Sequence, residues 1–310
     1  MTREKFAVFT ATLLLGLPFV VSAAAFPKVD DQQAVGQQPI QQKPINPYQK
    51  NLLEQEDENL REVQLGEWSL GPEEEEPPLW INEPMYFVVG KGHDVKARFQ
   101  FSFKYRMFSE KGIVVKALPF MKYFHLGYTQ TSLWNLSADS KPFEDSSYRP
   151  SFFWELQEPN HDIWPDYWRF GFEHESNGQA GPASRSMNIV FVQPGWGMRI
   201  GSQDLVFAPK FYSYVTRGEE NADIAKYRGY ADWVVRFGRQ DGFLAALTAR
   251  LGTANKGSVQ LDLSYPIREQ FFSRAGGYVY LQLFHGYGQS LASYNVREEA
   301  QVRIGFAIVR

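Results

Sequence analysis

Segments of about ten residues with alternating polarity repeat along the chain from Pro84 onwards, separated by glycine, asparagine, aspartate and charged clusters. The clearest is residues 97–108, ARFQFSFKYRMF, in which large apolar and polar side chains strictly alternate from Phe99 to Met107. Successive side chains of a strand point to opposite faces, so this segment has one apolar and one charged face. Residues 300–309 repeat the pattern, which predicts a closing strand.

The same pattern predicts about twelve strands in all. They lie near residues 85–90, 97–108, 113–131, 147–157, 166–177, 185–193, 205–216, 229–239, 242–252, 257–267, 275–287 and 300–309. An even-numbered antiparallel barrel satisfies every backbone group in lipid and leaves no free edge. The 16 Tyr, 25 Phe and 8 Trp suit aromatic girdles at the two membrane interfaces. The fold class is therefore predicted to be all-β, a twelve-stranded antiparallel transmembrane β-barrel. A soluble sandwich or lipocalin-like barrel shows the same alternation, but usually has fewer, shorter strands and a buried apolar face.

The N-terminal quarter differs in composition. Residues 1–25 carry Arg3 and Lys5, an apolar segment and a small-residue ending, which indicates a secretory signal peptide, the alternative being an uncleaved anchor. Residues 26–80 are rich in Gln, Pro and Glu and indicate a flexible periplasmic arm, with a small docked subdomain as the alternative. Residues 81–310 form the predicted barrel. The net charge of −3 offers no basic face, so no nucleic-acid partner is expected.

The segment 168–176 holds the candidate chemistry. Alternation places His174 and Ser176 on the aromatic face, with Glu175 on the other face. Residues two apart on a strand are separated by roughly 6.6 Å, so a His can approach a Ser hydroxyl and accept its proton. After the turn NGQAGPA, the next strand places Asn188 where it can pair with His174 and orient the imidazole. By itself, His-x-Ser on a strand is more often structural than catalytic.

A family resemblance strengthens this interpretation. The runs HESNG (174–178) and SRSMN (184–188), with their separation, resemble the signature of outer membrane phospholipase A, the calcium-dependent lipase of the Gram-negative outer membrane. The similarity continues in GYTQTSLWNLS (127–137), in residues 225–233, in LSYPI (263–267) and in HGYGQSLASYN (285–295). It covers the chain from about residue 84 onwards.

The resemblance implies roles for individual residues. Ser176 would be the nucleophile, His174 the general base and Asn188 the residue that orients the imidazole. It implies Ca²⁺ as cofactor, bound at a dimer interface by the Ser184 hydroxyl, the Gln179 carbonyl and Ser140 from the loop of a second copy. The Gly178 backbone amide would be an oxyanion donor beside the dication.

The resemblance also implies an assembly and an activity. A homodimer contact would involve Gln130, next to Tyr128, on the lipid-facing surface, although a Gln there can also simply bond water. The implied activity is calcium-dependent hydrolysis of phospholipid acyl esters (phospholipase A1, A2 and lysophospholipase) in the bacterial outer membrane, activated by dimerisation. Membrane phospholipids would be the substrate.

Two alternatives to this function stay open. One is a non-enzymatic outer-membrane barrel, a porin or structural protein, in which His174 and Ser176 are interfacial residues. The other is a soluble secreted esterase with the aromatic faces inside. Convergence of His174, Ser176 and Asn188 on the outer wall distinguishes the lipase from the first, and detergent-independent solubility would indicate the second.

Overall fold

The computed structural model describes residues 78–91, 94–157, 163–267 and 277–310. The predicted signal peptide and almost all of the predicted arm lie outside the described residues. The strands, numbered in chain order, are β1 Leu79–Ile81, β2 Met85–Lys91, β3 Val95–Arg106, β4 Phe124–Asn135, β5 Phe143–Gln157, β6 Tyr167–Ser176, β7 Ser186–Ile200, β8 Gln203–Phe207, β9 Lys210–Arg217, β10 Ala231–Gly238, β11 Leu244–Leu251, β12 Gly257–Pro266, β13 Tyr278–Tyr287 and β14 Arg297–Val309. Two short α-helices, α1 Ile113–Ala117 and α2 Ala225–Arg228, and 3₁₀ turns at Pro119–Tyr123, Gly181–Ala183 and Glu219–Asn221 complete the described structure.

Twelve antiparallel strands close into a barrel. Strand β2 pairs with both β3 and β14, which joins the first and last strands of the ring. Strands β8 and β9 both lie between β7 and β10 and act as one barrel strand interrupted at Ala208 and Pro209. Strand β1 pairs with β3 beyond the end of β2 and extends the first strand. The predicted fold class is confirmed, and within the described residues no helix is long and apolar enough to cross a bilayer.

One predicted strand starts too early. Residues 113–131 were expected to be extended, but Ile113–Ala117 form α1, and a 3₁₀ turn begins at Pro119. Pro119 has no backbone N–H to donate to a strand ladder, and its fixed φ suits the first position of a helical turn. The strand therefore begins at Phe124.

The outer wall is apolar and the interior is polar. On β3, Phe101 and Phe103 are exposed while Ser102 and Lys104 are buried in the lumen, and on β14 Ile304 and Phe306 face outward around the buried Arg303. This arrangement is that of a transmembrane barrel. A buried apolar cluster packs inside the barrel behind β7, and its members are Phe153, Met187, Ile189, Phe191, Tyr212, Ile224, Leu291 and Tyr294.

Ion pairs line the remaining lumen. Lys104 Nζ lies 2.5 Å from Glu155 Oε1, with the two side chains 2% and 6% exposed. Lys210 pairs with Glu173 at 3.0 Å, and Arg250 pairs with Asp232 at 2.8 Å. The first two pairs each span one intervening strand, from β3 to β5 and from β6 to β9, whereas the third joins the adjacent strands β10 and β11.

Breaking one lumenal pair is expected to destabilise the barrel far more than breaking a surface pair. We expect Lys104→Met to lower the free energy of unfolding by about 3 kcal/mol, because Glu155 is left buried without its ammonium partner. The exposed pair Arg199–Asp204, with 75% and 49% exposed side chains, is the matched control. Arg199→Met should cost under about 1 kcal/mol. Urea unfolding in lipid vesicles, followed by tryptophan fluorescence, measures the free energy of unfolding of both variants. Equal losses of stability in the two variants would contradict a larger contribution from the lumenal pair.

Candidate active site

Strand β6 carries the proposed catalytic pair on the outer wall. His174 and Ser176 share the outward face with the exposed Phe170, whereas Glu173 and Glu175 are buried in the lumen. Glu175 accepts hydrogen bonds from Ser147 Oγ at 2.6 Å and from Arg228 Nη1 at 2.9 Å. These inner contacts hold the end of β6 from behind, so the predicted division of faces is confirmed.

Asn188 lies directly opposite His174 in the β6–β7 register. Its Oδ1 is 2.8 Å from His174 Nδ1. A carbonyl oxygen can only accept, so in this arrangement Nδ1 carries the imidazole proton and Nε2 is left as the acceptor. Nε2 is therefore the nitrogen with a free lone pair for a proton. On either side of Asn188, Met187 and Ile189 point inward into the apolar cluster and fix the backbone of β7.

Ser176 faces Ser186 on β7 and Tyr148 on β5. Among the residues that the structure describes, its hydroxyl forms no hydrogen bond with His174. The two side chains share one face at a spacing of roughly 6.6 Å, which a rotation of the serine and imidazole side chains can close. Catalytic hydrogen bonds are often long before substrate binds, so the spacing is compatible with a nucleophile and its base.

The loop 177–185 between β6 and β7 is organised by Asn177, a residue that the sequence analysis assigned no role. The Asn177 side chain is buried, and its Oδ1 accepts from the Gln179 and Arg185 amides at 3.3 and 2.9 Å. Its Nδ2 donates to the Ala183 carbonyl at 2.9 Å. A short polar side chain after a strand, followed by glycine, is a turn signal that points to this position.

Gly178 follows with a φ of +67°, and a Cβ at this position would lie 3.1 Å from the Tyr148 ring. Its backbone N–H makes no hydrogen bond to any residue in the described part of the chain. This amide, two residues after Ser176, is available to an oxyanion.

The residues implied as calcium ligands lie in two loops at one end of the barrel, opposite the C-terminus. Gln179 and Ser184 belong to loop 177–185, and Ser140 belongs to loop 136–142, where its φ is +59°. In the described residues, neither the Ser184 hydroxyl nor the Gln179 carbonyl forms a hydrogen bond, so both oxygens remain available. Within the same residues there is no cluster of three or more His, Cys, Asp or Glu side chains suited to a metal. Hydroxyl and carbonyl oxygens are hard ligands of the kind that Ca²⁺ accepts.

A row of polar side chains runs along the outer wall beside the site. Tyr128 Oη donates to Gln130 Oε1 at 3.1 Å, Gln130 Nε2 donates to Ser132 Oγ at 3.3 Å, and Ser132 bonds Ser146 at 2.8 Å. Tyr148 lies opposite both Gln130 and Ser176. The row thus joins the predicted dimer residues to strand β6, which carries Ser176.

The end of the barrel above the site is tied together by Tyr294. Its hydroxyl donates to Asp223 Oδ1 at 2.6 Å, which links loop 288–296 to loop 218–230. Burial and the hydrogen bond to Asp223 raise the pKa of Tyr294 to about 12, so the hydroxyl stays protonated at neutral pH. The Arg185 guanidinium lies over the same ring at 5.9 Å.

The family model described as phospholipase A1 matches residues 80–309, which is most of the chain and includes every strand except the first residue of β1. The chain belongs to the phospholipase A1 family. Phospholipase A1 of Escherichia coli K12 is 30% identical over 195 residues, covering 59% of this chain and 60% of the relative. A putative phospholipase A1 of Neisseria meningitidis is 29% identical over 261 residues, covering 74% of this chain and 63% of the relative.

Solved structures agree with the fold of this phospholipase A1 family member. Outer membrane phospholipase A of Escherichia coli superposes with a TM-score of 0.62 at 23% identity, covering 75% of this chain and 94% of that one. The outer membrane phospholipase of Salmonella typhi, solved as a dimer with bound calcium, gives a TM-score of 0.63 at 22% identity, covering 77% and 94%. The matched region spans about 60% of the length of the Escherichia coli relative in sequence.

Proposed function

We propose that this chain is an outer-membrane phospholipase that hydrolyses the acyl esters of membrane phospholipids with Ser176, His174 and Asn188. The observation that carries the proposal is the 2.8 Å contact between His174 Nδ1 and Asn188 Oδ1 on the lipid-facing wall, beside Ser176. A porin has no use for an oriented imidazole next to a serine on its outer surface. Membership of the phospholipase A1 family supports the ester-hydrolase activity. The proposed activity includes acyl cleavage as phospholipase A1, phospholipase A2 and lysophospholipase.

The proposed reaction proceeds through an acyl-enzyme. His174 Nε2 takes the Ser176 hydroxyl proton while Oγ attacks the ester carbonyl carbon. The tetrahedral intermediate collapses as the bond to the glycerol oxygen breaks, and His174 returns the proton to that oxygen. His174 then takes a proton from water, whose oxygen attacks the acyl-serine. Collapse releases the fatty acid and restores the proton to Ser176. Throughout, Asn188 accepts from Nδ1 and holds the ring orientation.

Oxyanion support is assigned to Gly178 and to a calcium site. The Gly178 N–H is the backbone donor next to Ser176, and its positive φ fixes the direction of the amide. Ser184 and Gln179 would hold Ca²⁺ through a hydroxyl and a carbonyl, and Ser140 would come from a second copy of the chain. The bound ion would supply positive charge near the developing oxyanion.

The location of the site on the outer wall suits a membrane substrate. A phospholipid beside the barrel can present its ester to Ser176 without entering the lumen, which is lined by charged and polar side chains. Gln130 and Tyr128 lie on the same wall, where an amide in lipid gains about 0.6 to 2 kcal/mol by bonding a partner across an interface. Dimerisation through this surface would bring Ser140 to the calcium site and would couple assembly to activity.

Purified, folded protein in mixed phospholipid micelles tests the proposed function. Fatty-acid release that requires calcium is the expected result. The alternative, a porin or structural barrel, predicts no release from folded and dimeric protein, and that result would overturn the proposal.

Disrupting the loop that carries Gln179 and Ser184 is expected to weaken calcium activation. Asn177→Ala removes three hydrogen bonds that shape the loop. Residues that support metal ligands typically contribute 10–100-fold, so we expect at least about a tenfold rise in the calcium concentration that gives half-maximal activity. Asn295→Ala, in an exposed position at the same end of the barrel, is the control. Unchanged calcium dependence in Asn177→Ala would remove this loop from the metal site.

A further inference from the structure

Thr216 lies on the outer wall beside Asn188, although strict alternation would place it inside. Along β9, Phe211 and Val215 are exposed on the outer wall, whereas Tyr212 is buried in the lumen. Thr216 is an even number of residues away from Tyr212 and Tyr214 along the strand. A regular strand would therefore point it inward.

A β-bulge changes its direction. Ile189 on β7 is opposite Tyr214, whereas the residue before it, Asn188, is opposite Thr216. Val215 therefore has no partner on β7 and is the extra residue on β9. Bulges insert one residue, redirect the side chains that follow and are frequent next to active sites. Here the bulge brings the Thr216 hydroxyl to the face that carries Asn188 and His174.

The redirected hydroxyl completes a chain of hydrogen bonds. Asn188 Nδ2 donates to Thr216 Oγ1 at 2.6 Å, while Asn188 Oδ1 faces His174 Nδ1 at 2.8 Å. An amide held at one end only can rotate about χ2, which would present its NH₂ group to the imidazole. Because both ends of the Asn188 amide are bonded, its carbonyl stays directed at His174. Donation from Nδ2 also polarises the amide and strengthens the carbonyl as an acceptor.

We propose that Thr216 is a positioning residue that acts through Asn188 and extends the Ser176–His174–Asn188 arrangement to a fourth member. This inference rests on the proposed function. Thr216 does not touch His174, and it acts on the orientation of the imidazole rather than on the binding of the acyl chain. Its loss is therefore expected to lower kcat and to leave KM unchanged.

The test compares Thr216→Val, which keeps the shape and removes the hydroxyl, with Thr216→Ser, which keeps the hydroxyl. Loss of one hydrogen bond corresponds to about a fivefold change, so Thr216→Val should lower kcat about fivefold, while Thr216→Ser stays within about twofold of wild type. Ser213→Ala, at an exposed position on the same strand, should behave as wild type. In an Asn188→Ala background, Thr216→Val should have no further effect, because the partner through which it acts is gone.

The inference is overturned if Thr216→Val matches wild type, if it lowers kcat equally with and without Asn188, or if Thr216→Ser is as impaired as Thr216→Val. Thr216→Ala, assayed in parallel, is the control for a disturbance of the bulge by the valine side chain. Heat-modified electrophoretic mobility verifies the folding of every variant. A Ser176→Ala variant that retains full activity would instead refute the proposed function itself. The two failures are thus distinguishable.

Discussion

Ser176→Ala is expected to reduce fatty-acid release by at least about 10³-fold, with unchanged folding and calcium binding. Without its hydroxyl the site has no nucleophile, and only oxyanion stabilisation and substrate binding remain. His174→Ala should lose a similar factor, because an unassisted serine is a weak nucleophile at neutral pH. The assay is fatty-acid release from mixed micelles at saturating calcium.

The double variant decides whether the two residues act as one unit. Ser176→Ala combined with His174→Ala should be no slower than the slower single variant, as expected for groups that share a single step. If the activity losses of the two single variants multiply in the double variant, the two residues have independent roles. Ser213→Ala, on the same outer wall, is the control and should keep wild-type activity. A Ser176→Ala enzyme with more than about a tenth of wild-type activity would contradict the assignment of the nucleophile.

Chelation of calcium is expected to lower activity by at least about 10²-fold. Catalysis on the proposed site depends on positive charge beside the oxyanion, and removal of a main oxyanion donor alone costs about 10²–10³-fold. Ser184→Ala should retain activity at high calcium but need at least about tenfold more of it, because it deletes a hydroxyl ligand. Ser140→Ala should act in the same direction.

Ser202→Ala, in the turn at the opposite end of the barrel between β7 and β8, is the matched control and should leave the calcium titration unchanged. Calcium is titrated against activity for Ser184→Ala, Ser140→Ala and Ser202→Ala, and the oligomeric state of the same samples is measured by sedimentation. The two measurements together separate loss of metal from loss of the dimer. Full activity of wild-type protein in chelator would contradict a calcium-dependent mechanism.

The barrel was predictable because its signal is local. Alternation of the kind seen from Phe99 to Tyr105 depends only on the period of two and on the apolar solvent outside. The faces of His174, Ser176 and Glu175 follow from the same rule. The start of β4 was placed too early because Val114 and Val115 are β-branched and strand-like, whereas Pro119 and the packing of the connection decide the conformation.

The features that the sequence does not reveal depend on register. The partner of Lys104 in the lumen is set by the stagger of β3 against β5, two strands away, and no local pattern encodes it. The bulge at Val215 is a shift of one residue between β7 and β9, and strict alternation assigns Thr216 to the wrong face. Asn177 carries a turn signal, but its three loop contacts require the return of the chain at Ala183 and Arg185.

Covalent labelling of the nucleophile tests the central claim most directly. An alkyl fluorophosphonate reacts with serine hydroxyls that a neighbouring base activates, and peptide mass spectrometry locates the adduct. We expect one adduct, on Ser176, formed in wild-type protein with calcium and lost in His174→Ala. An active enzyme that is labelled at another serine, or inactivated without any adduct on Ser176, would contradict it.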